Sequence, residues 1–325
     1  MSRLSDAAGW AQRHRRLLGA AQLVLLVVFF GVLGWGLRGT FHSAERDLHH
    51  SNLVLFGFAC LALAAYYLVF VVGWKWILAE WGIGISYPVA LRSEMVSMLA
   101  KYIPGGIWTP AARVVAARRA GVTDAWLVTA SMLLEAGLSA VSGVIVFVLG
   151  LAFVDDVNAP LAPLVIFGAV LAVLVQPRVF RPLAGRVLRR FGYKRELPNM
   201  RARTLSALLV FYAGTWVLGG FALWLILHAV GAHPEAASVV YLGGVSAVGA
   251  IVAVLFVFAP SGLGVREASM YGLLLAVATP GQALGAVALN RLALTGVELL
   301  LFLVGGLLLR GRAQRPAETA ELPSL

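Results

Sequence analysis

Six charged residues of this sequence stand in or beside long apolar runs, where a charge has to be accounted for: Arg113, Glu135, Arg266, Glu267, Arg291 and Glu298. They are arranged around two proline-glycine breaks. Pro104-Gly105-Gly106-Ile107 is followed by Arg113, and Pro260-Ser261-Gly262-Leu263 by Arg266, with an aromatic two positions before each proline, Tyr102 and Phe258. A charged residue stands 31 positions after each proline, Glu135 and Arg291. A helix that restarts after such a break presents N–H groups and a positive dipole end, which suit phosphate or carboxylate. Guanidinium is the side chain best matched to phosphate oxygens. An anionic lipid headgroup is therefore the natural ligand. The alternative for Arg113 and Arg266 is anchoring at the interface by snorkelling.

Glu135 lies near the middle of its apolar run, where an acid costs roughly 2.5–3.5 kcal/mol. It needs a partner, for which Arg291, Arg113 and Lys101 are candidates, and Glu298 is a second mid-helix acid beside them. Three roles stay open for it: a buried ion pair holding helices in register, headgroup contact, or proton coupling.

The elements that carry these charges must lie in a membrane. Of 325 residues, 60% are hydrophobic and 13% charged, with a mean hydropathy of +0.87. Globular chains average about 25% charged residues, so a water-soluble surface cannot be built from this supply. Candidate spans run over 17–37, 53–79, 124–151, 161–176, 204–230, 236–258 and 282–309. The expected fold class is all-α, a polytopic membrane protein of about six to eight transmembrane helices.

The net charge of +11 is mostly topological. Cations gather at the N-terminus (Arg3, Arg13, Arg15, Arg16), in a basic loop at 177–203 and in a polar tail at 310–325. All three are expected in the cytoplasm, while the 38–51 loop and the turn with Asp155 and Asp156 fit the outside. Both termini inside requires an even number of crossings. Residues 89–119 are therefore read as a re-entrant hairpin of two half-helices that returns to the cytoplasmic side. Residues 236–278 are either a hairpin from outside or a full span followed by a short returning helix. If helix, broken hairpin and helix form a unit, 53–151 and 204–309 are inverted halves of a single transmembrane domain, the arrangement in which transporters place their binding sites. Apolar side chains among the arginines of 177–203 suit a helix lying on an anionic leaflet. Trp74, Trp76 and Trp81 read as an interfacial belt.

Other chemistries find no support. Cys60 is alone, so neither an internal disulfide nor a thiolate metal site exists. His42, His49 and His50 lack metal-ligand spacing, and no metal or other cofactor is expected. No hydrolase, metalloprotease, nucleotide or dinucleotide motif occurs. Nucleic acid is not expected as a partner, because the basic residues form no exposed face on a soluble fold.

The stretch KYIPGGIWTPAARVVAARRAGV, the helix with Glu135, and FAPSGLGVREAS with Arg291 and Glu298 downstream resemble the flippase-like integral membrane family. That family is related to the transmembrane flippase domain of lysylphosphatidylglycerol synthases. The resemblance implies that Lys101, Pro104, Gly105, Arg113, Glu135, Pro260, Gly262, Gly264, Arg266 and Glu267 occupy the family's motif positions, so that with Arg291 and Glu298 they form the substrate-binding set. In two-part synthases this region moves aminoacylated phosphatidylglycerol between leaflets, while a soluble C-terminal domain makes it. Here only a short polar tail follows residue 309, so synthase activity is not implied. The expectation is a multi-pass protein of the cell membrane that moves an anionic or modified (glyco)phospholipid, or a lipid-linked intermediate, through a central polar cavity. Two alternatives stay open, a non-transporting partner of a separate lipid-modifying enzyme and an intramembrane transferase using Glu135 or Glu267 as a base. Homo-oligomerisation is compatible with each.

Overall fold

The computed structural model describes residues 51–101, 108–119, 121–122, 124–155, 157, 161–190, 196–256 and 262–305. The expected span at 17–37, the tail at 310–325, and Pro104, Gly105 and Pro260 of the two breaks lie outside these residues. The described residues form α-helices and no strands: α1 (Leu53–Glu80), α2 (Tyr87–Ala100), α3 (Trp108–Arg119), α4 (Ala125–Gly150), α5 (Leu161–Leu174), α6 (Pro177–Arg190), α7 (Ala202–Ala229), α8 (Val239–Leu255), α9 (Val265–Leu274) and α10 (Pro280–Leu303).

Helix starts follow from local chemistry. Asn52 Oδ1 accepts from the amides of Val54 and Leu55 at 3.0 and 3.2 Å, and Asp124 Oδ1 from those of Trp126 and Leu127 at 3.0 and 3.1 Å. Such caps satisfy N–H groups that a helix start leaves without partners. α10 starts at Thr279 with Pro280 as its first helical residue. α1 and α7 share one length, 28 residues, and one ending. In each, a glycine with positive φ (Gly82, Gly231) donates back to a carbonyl three residues earlier, and the next residue donates to a carbonyl five residues earlier.

Among the described residues, five helical segments are long and apolar enough to cross a membrane: Leu53–Glu80, Ala125–Phe153, Ala202–Ala229, Ala236–Leu255 and Pro280–Leu303. They correspond to the spans expected at 53–79, 124–151, 204–230, 236–258 and 282–309. Side chains such as Val210, Val254 and Leu292 are exposed, as on a lipid-facing surface. The span expected at 161–176 is shorter: α5 has 14 residues, about 21 Å of helix, and bends by 79° into α6. Pro177 begins α6 immediately after the bend, which a proline favours by disfavouring helical geometry in the residue before it. For 236–278 the lengths match a full span followed by a short returning helix, because Ala236–Leu255 has 20 residues and α9 only 10.

At the centre α7 packs against α1, α4, α8 and α10, while α5 and α6 lie to the side against α4. α2 and α3 pack together as a pair of short helices, with α2 held by α1 and α10, and α3 by α4. α8 and α9 form the matching pair, with α8 held by α7 and α4, and α9 by α10. In lipid there is no hydrophobic force between helices, so small residues that admit close contact do the work. A side-chain carbon at Gly220 would overlap the backbone of Gly243 and Val239, one at Gly150 the backbone of Tyr241, and one at Gly244 the backbone of Phe147. The α7–α8 and α8–α4 interfaces are thus backbone against backbone.

This contact predicts a position-specific tolerance. Gly220→Val and Gly244→Val are each expected to cost at least the 1–3 kcal/mol typical of overpacking, read as a lowered melting temperature of the detergent-solubilised protein. Gly214→Ala, with open space at its Cα, should melt within about 0.5 kcal/mol of the parent.

Candidate functional site

The charged groups gather into two sets at different heights along α1. The buried residues of α1 include Leu63, Tyr67, Val71, Trp74 and Leu78, spaced three and four apart along one seam. Tyr67 and Trp74 are therefore two turns apart on one face, about 10 Å along the axis. Each meets one set.

The first set is sealed. Arg113 of α3 forms ion pairs with Glu94 of α2 and, at 2.5 Å, with Glu135 of α4. Its Nε donates to Ser97 Oγ at 3.3 Å, and its guanidinium carbon lies 5.0 Å from the Trp74 ring centre, in cation–π range. Tyr212 of α7 donates to Glu135 Oε1 at 3.4 Å, and Trp74 Nε1 donates to Ser131 Oγ at 2.9 Å. Arg113, Glu94 and Glu135 are each only 4% exposed. One guanidinium thus joins α2, α3 and α4, with an aromatic from α1 and another from α7 closing the sides. Of Glu135's candidate partners, Arg113 is the one that pairs with it. Burial to this degree also excludes snorkelling for Arg113.

The second set is open at its edge. Lys101, just after α2, pairs with Glu298 of α10, and the Tyr67 hydroxyl donates to the same carboxylate oxygen. The Glu298 side chain is 1% exposed and that of Lys101 30%. Arg291 of α10 meets Glu267 of α9 at 3.2 Å, both side chains 21% exposed. Arg266 of α9 is near enough to act electrostatically on Lys101, Tyr66 and Tyr67. Its buried Nε has no hydrogen-bond partner among the described residues. An N–H without a partner in apolar surroundings is costly, about 1–3 kcal/mol.

The second break is built by glycine. Gly262 and Gly264 both have positive φ, 65° and 85°, which glycine adopts without steric cost. α9 then begins, and Glu267 turns back so that its Oε2 accepts the Gly264 N–H at 2.6 Å. Part of the donor capacity expected at this helix start is thus taken by the chain's own carboxylate. The same residue holds Arg291 with its other oxygen.

Of the residues read from sequence, the structure brings Arg113 and Glu135 into one set, and Lys101, Arg266, Glu267, Arg291 and Glu298 into the other, beside Gly262 and Gly264. Glu94, Tyr67, Tyr212 and Trp74 were missed. Trp74 and Trp81 do not form an outward-facing belt: they are 0% and 8% exposed, and of the three only Trp76 faces outward, at 37%. Their helix turns the buried seam inward at positions 74 and 78, which fixes Trp74 against the bundle. A signal for the first set does exist in the sequence. Ser131, Glu135, Ser139 and Ser142 recur at helical spacing in an otherwise apolar α4, and all four are buried. Ser142 Oγ donates to the Leu209 carbonyl at 2.8 Å and Trp216 Nε1 to that of Ser139 at 2.8 Å, so this stripe faces α7. Among the described residues no cluster of His, Cys, Asp and Glu suited to a metal occurs.

Removing one partner of a buried ion pair leaves an uncompensated charge, costing about 3–5 kcal/mol. Arg113→Met is therefore expected to lower the melting temperature strongly. The triple variant Glu94→Gln, Arg113→Met, Glu135→Gln should regain much of that loss, because it strands no charge; thermal unfolding of both variants in detergent reads the difference.

Comparison with individual curated proteins finds no match. The family model described as the lysylphosphatidylglycerol synthase TM region matches residues 17–305, nearly the whole chain and both breaks with their charged sets. The protein belongs to the lysylphosphatidylglycerol synthase transmembrane-region family.

Proposed function

We propose that this protein is a flippase-like lipid transporter, which takes an anionic or modified phospholipid headgroup at the open charged set and carries it between leaflets. The observation that carries this reading is Arg266. A guanidinium whose Nε is buried without a partner among the described residues, within electrostatic reach of Lys101, is a donor held ready for an oxygen that no described residue supplies. The open set has three cations against two carboxylates, an excess suited to a phosphate. The sealed set, with one cation against two carboxylates, is a structural lock in this scheme and does not touch the headgroup.

Two further proposals follow. Residues 53–151 and 204–309 are inverted repeats, supported by the shared ending of α1 and α7 and by packing in which each helix contact of one half has a counterpart in the other. The protein lies in the cell membrane with both termini cytoplasmic, supported by the positions of its cations.

Leaflet transfer of fluorescent phosphatidylglycerol in proteoliposomes tests the transport reading. Loss of a hydrogen bond to a charged group is worth about 1.5–3 kcal/mol, so Arg266→Ala should slow transfer roughly 10- to 100-fold with little change in melting temperature. Unchanged transfer in Arg266→Ala would remove the assignment of the site. Absence of transfer by the unmodified protein, together with its co-purification with a lipid-modifying enzyme, would favour the non-transporting partner instead.

A further inference from the structure

The hairpin helices α2 and α3 each bury one face, with Glu94 and Ser97 on α2 and Arg113 on α3 in the sealed set and Ala117 of α3 in the apolar core. Between their other faces runs a groove of about 380 Å³, in the size range of small-molecule clefts. One wall is Val89, Val96 and Ala100, and the other is Ala112, Val115 and Ala116. These positions recur at three-, four- and seven-residue spacing, so the groove is the valley between two packed helices over most of their length. Four alanines, Ala100, Ala111, Ala112 and Ala116, keep it open.

Its ends differ. At one stand Ala100, the last residue of α2, and the half-exposed Trp108, the first of α3. Toward the other stand Arg92, near the start of α2, and Arg119, the last residue of α3. From Ala100 to Arg92 is eight residues, about 12 Å of helix rise. Neither arginine has a carboxylate within 4.0 Å among the described residues, whereas Arg113 on the same hairpin has two. An apolar trough ending in two cations without anionic partners has the outline of a phospholipid, with acyl chain along the trough and phosphate at its end.

We propose that this outer groove binds one anionic phospholipid, whose phosphate is held by Arg92 and Arg119 and whose acyl chain lies between α2 and α3. The site is separate from the open charged set and shares no residue with it, so it stands whether or not the protein transports lipid. Charge separates this occupant from two others. The apolar run at 17–37 is preceded by Arg13, Arg15 and Arg16, which would place cation against cation. A second copy meeting the same face about a two-fold axis would present the same lining, which holds two arginines and no carboxylate. An anionic lipid alone neutralises them.

The test uses the full-length protein in detergent with phosphatidylglycerol carrying a photoreactive group near the end of one acyl chain. Labelling should fall on peptides from 87–119. Excess unlabelled phosphatidylglycerol should suppress it at a concentration on the order of tenfold lower than phosphatidylcholine with the same chains, as two interfacial arginines would require. In the double variant Arg92→Gln, Arg119→Gln this preference should fall to near unity, and Arg92→Lys, Arg119→Lys should restore most of it. Ala112→Phe, which fills the trough, should reduce labelling at 87–119 while leaving labelling elsewhere. A preference that survives the double glutamine variant overturns the proposal. So does efficient disulfide formation between Val115→Cys and a cysteine placed in 17–37, in a Cys60→Ser background, because the chain itself would then fill the groove.

Discussion

Arg113 between Glu94 and Glu135 is the interaction on which the rest of this structure depends. Two carboxylates and a guanidinium, each almost wholly withdrawn from solvent, can persist in an apolar bundle only if their geometry is enforced from several sides. Here three helices bring the charges and two more bring the aromatics that enclose them. The broken hairpin is thus fastened at a point that apolar packing could not specify, since lipid and leucine are equally apolar. Once Arg113 is fixed, α2 and α3 have one inner and one outer face, and the trough between their outer faces follows.

Much of this was legible from residue types and spacing, and what was not has a definite cause. Long apolar runs give α1 and α4 close to their observed limits, and the structure shows Asn52 and Asp124 capping their starts. The breaks with Arg113 and Arg266, and the mid-helix acids Glu135 and Glu298, mark the charged groups because charge is rare in such a chain. Pairing was not legible. Arg291 matches Glu135 in its distance from a proline, yet joins Glu267 across α9 and α10, a choice made by helix rotation and not by sequence separation. Glu94 was passed over because α2 is moderately polar, and an acid there carries no surprise until α3 folds against it. Trp74 and Trp81 illustrate the same limit: tryptophan suits an interface and a core equally well, and only the direction of the α1 seam decides between them.

In the transport reading proposed above, the two charged sets divide the labour of a lipid-handling membrane domain. One must hold broken helices together, and charge that is saturated and sealed serves that purpose. The other, in the transport reading proposed above, meets a ligand, which calls for donors that are reachable or that lack a partner among the described residues. Lys101 and Arg291 with partly exposed side chains, and Arg266 with its buried Nε, meet the second requirement; Arg113 meets the first. Glu267 bridges the two kinds of role, since one oxygen closes the start of α9 and the other engages Arg291.

Tyr67 and Trp74 give α1 a role that neither residue has alone. They project from one seam, the first onto Glu298 and the second onto Arg113 and Ser131. A rigid rod gripped at two points has few independent motions left. Rolling α1 about its axis withdraws both rings together, and sliding it shifts both by the same distance. The two charged sets are therefore geared to one another through a single shaft, and a rigid displacement of α1 that disturbs one of them is felt at the other.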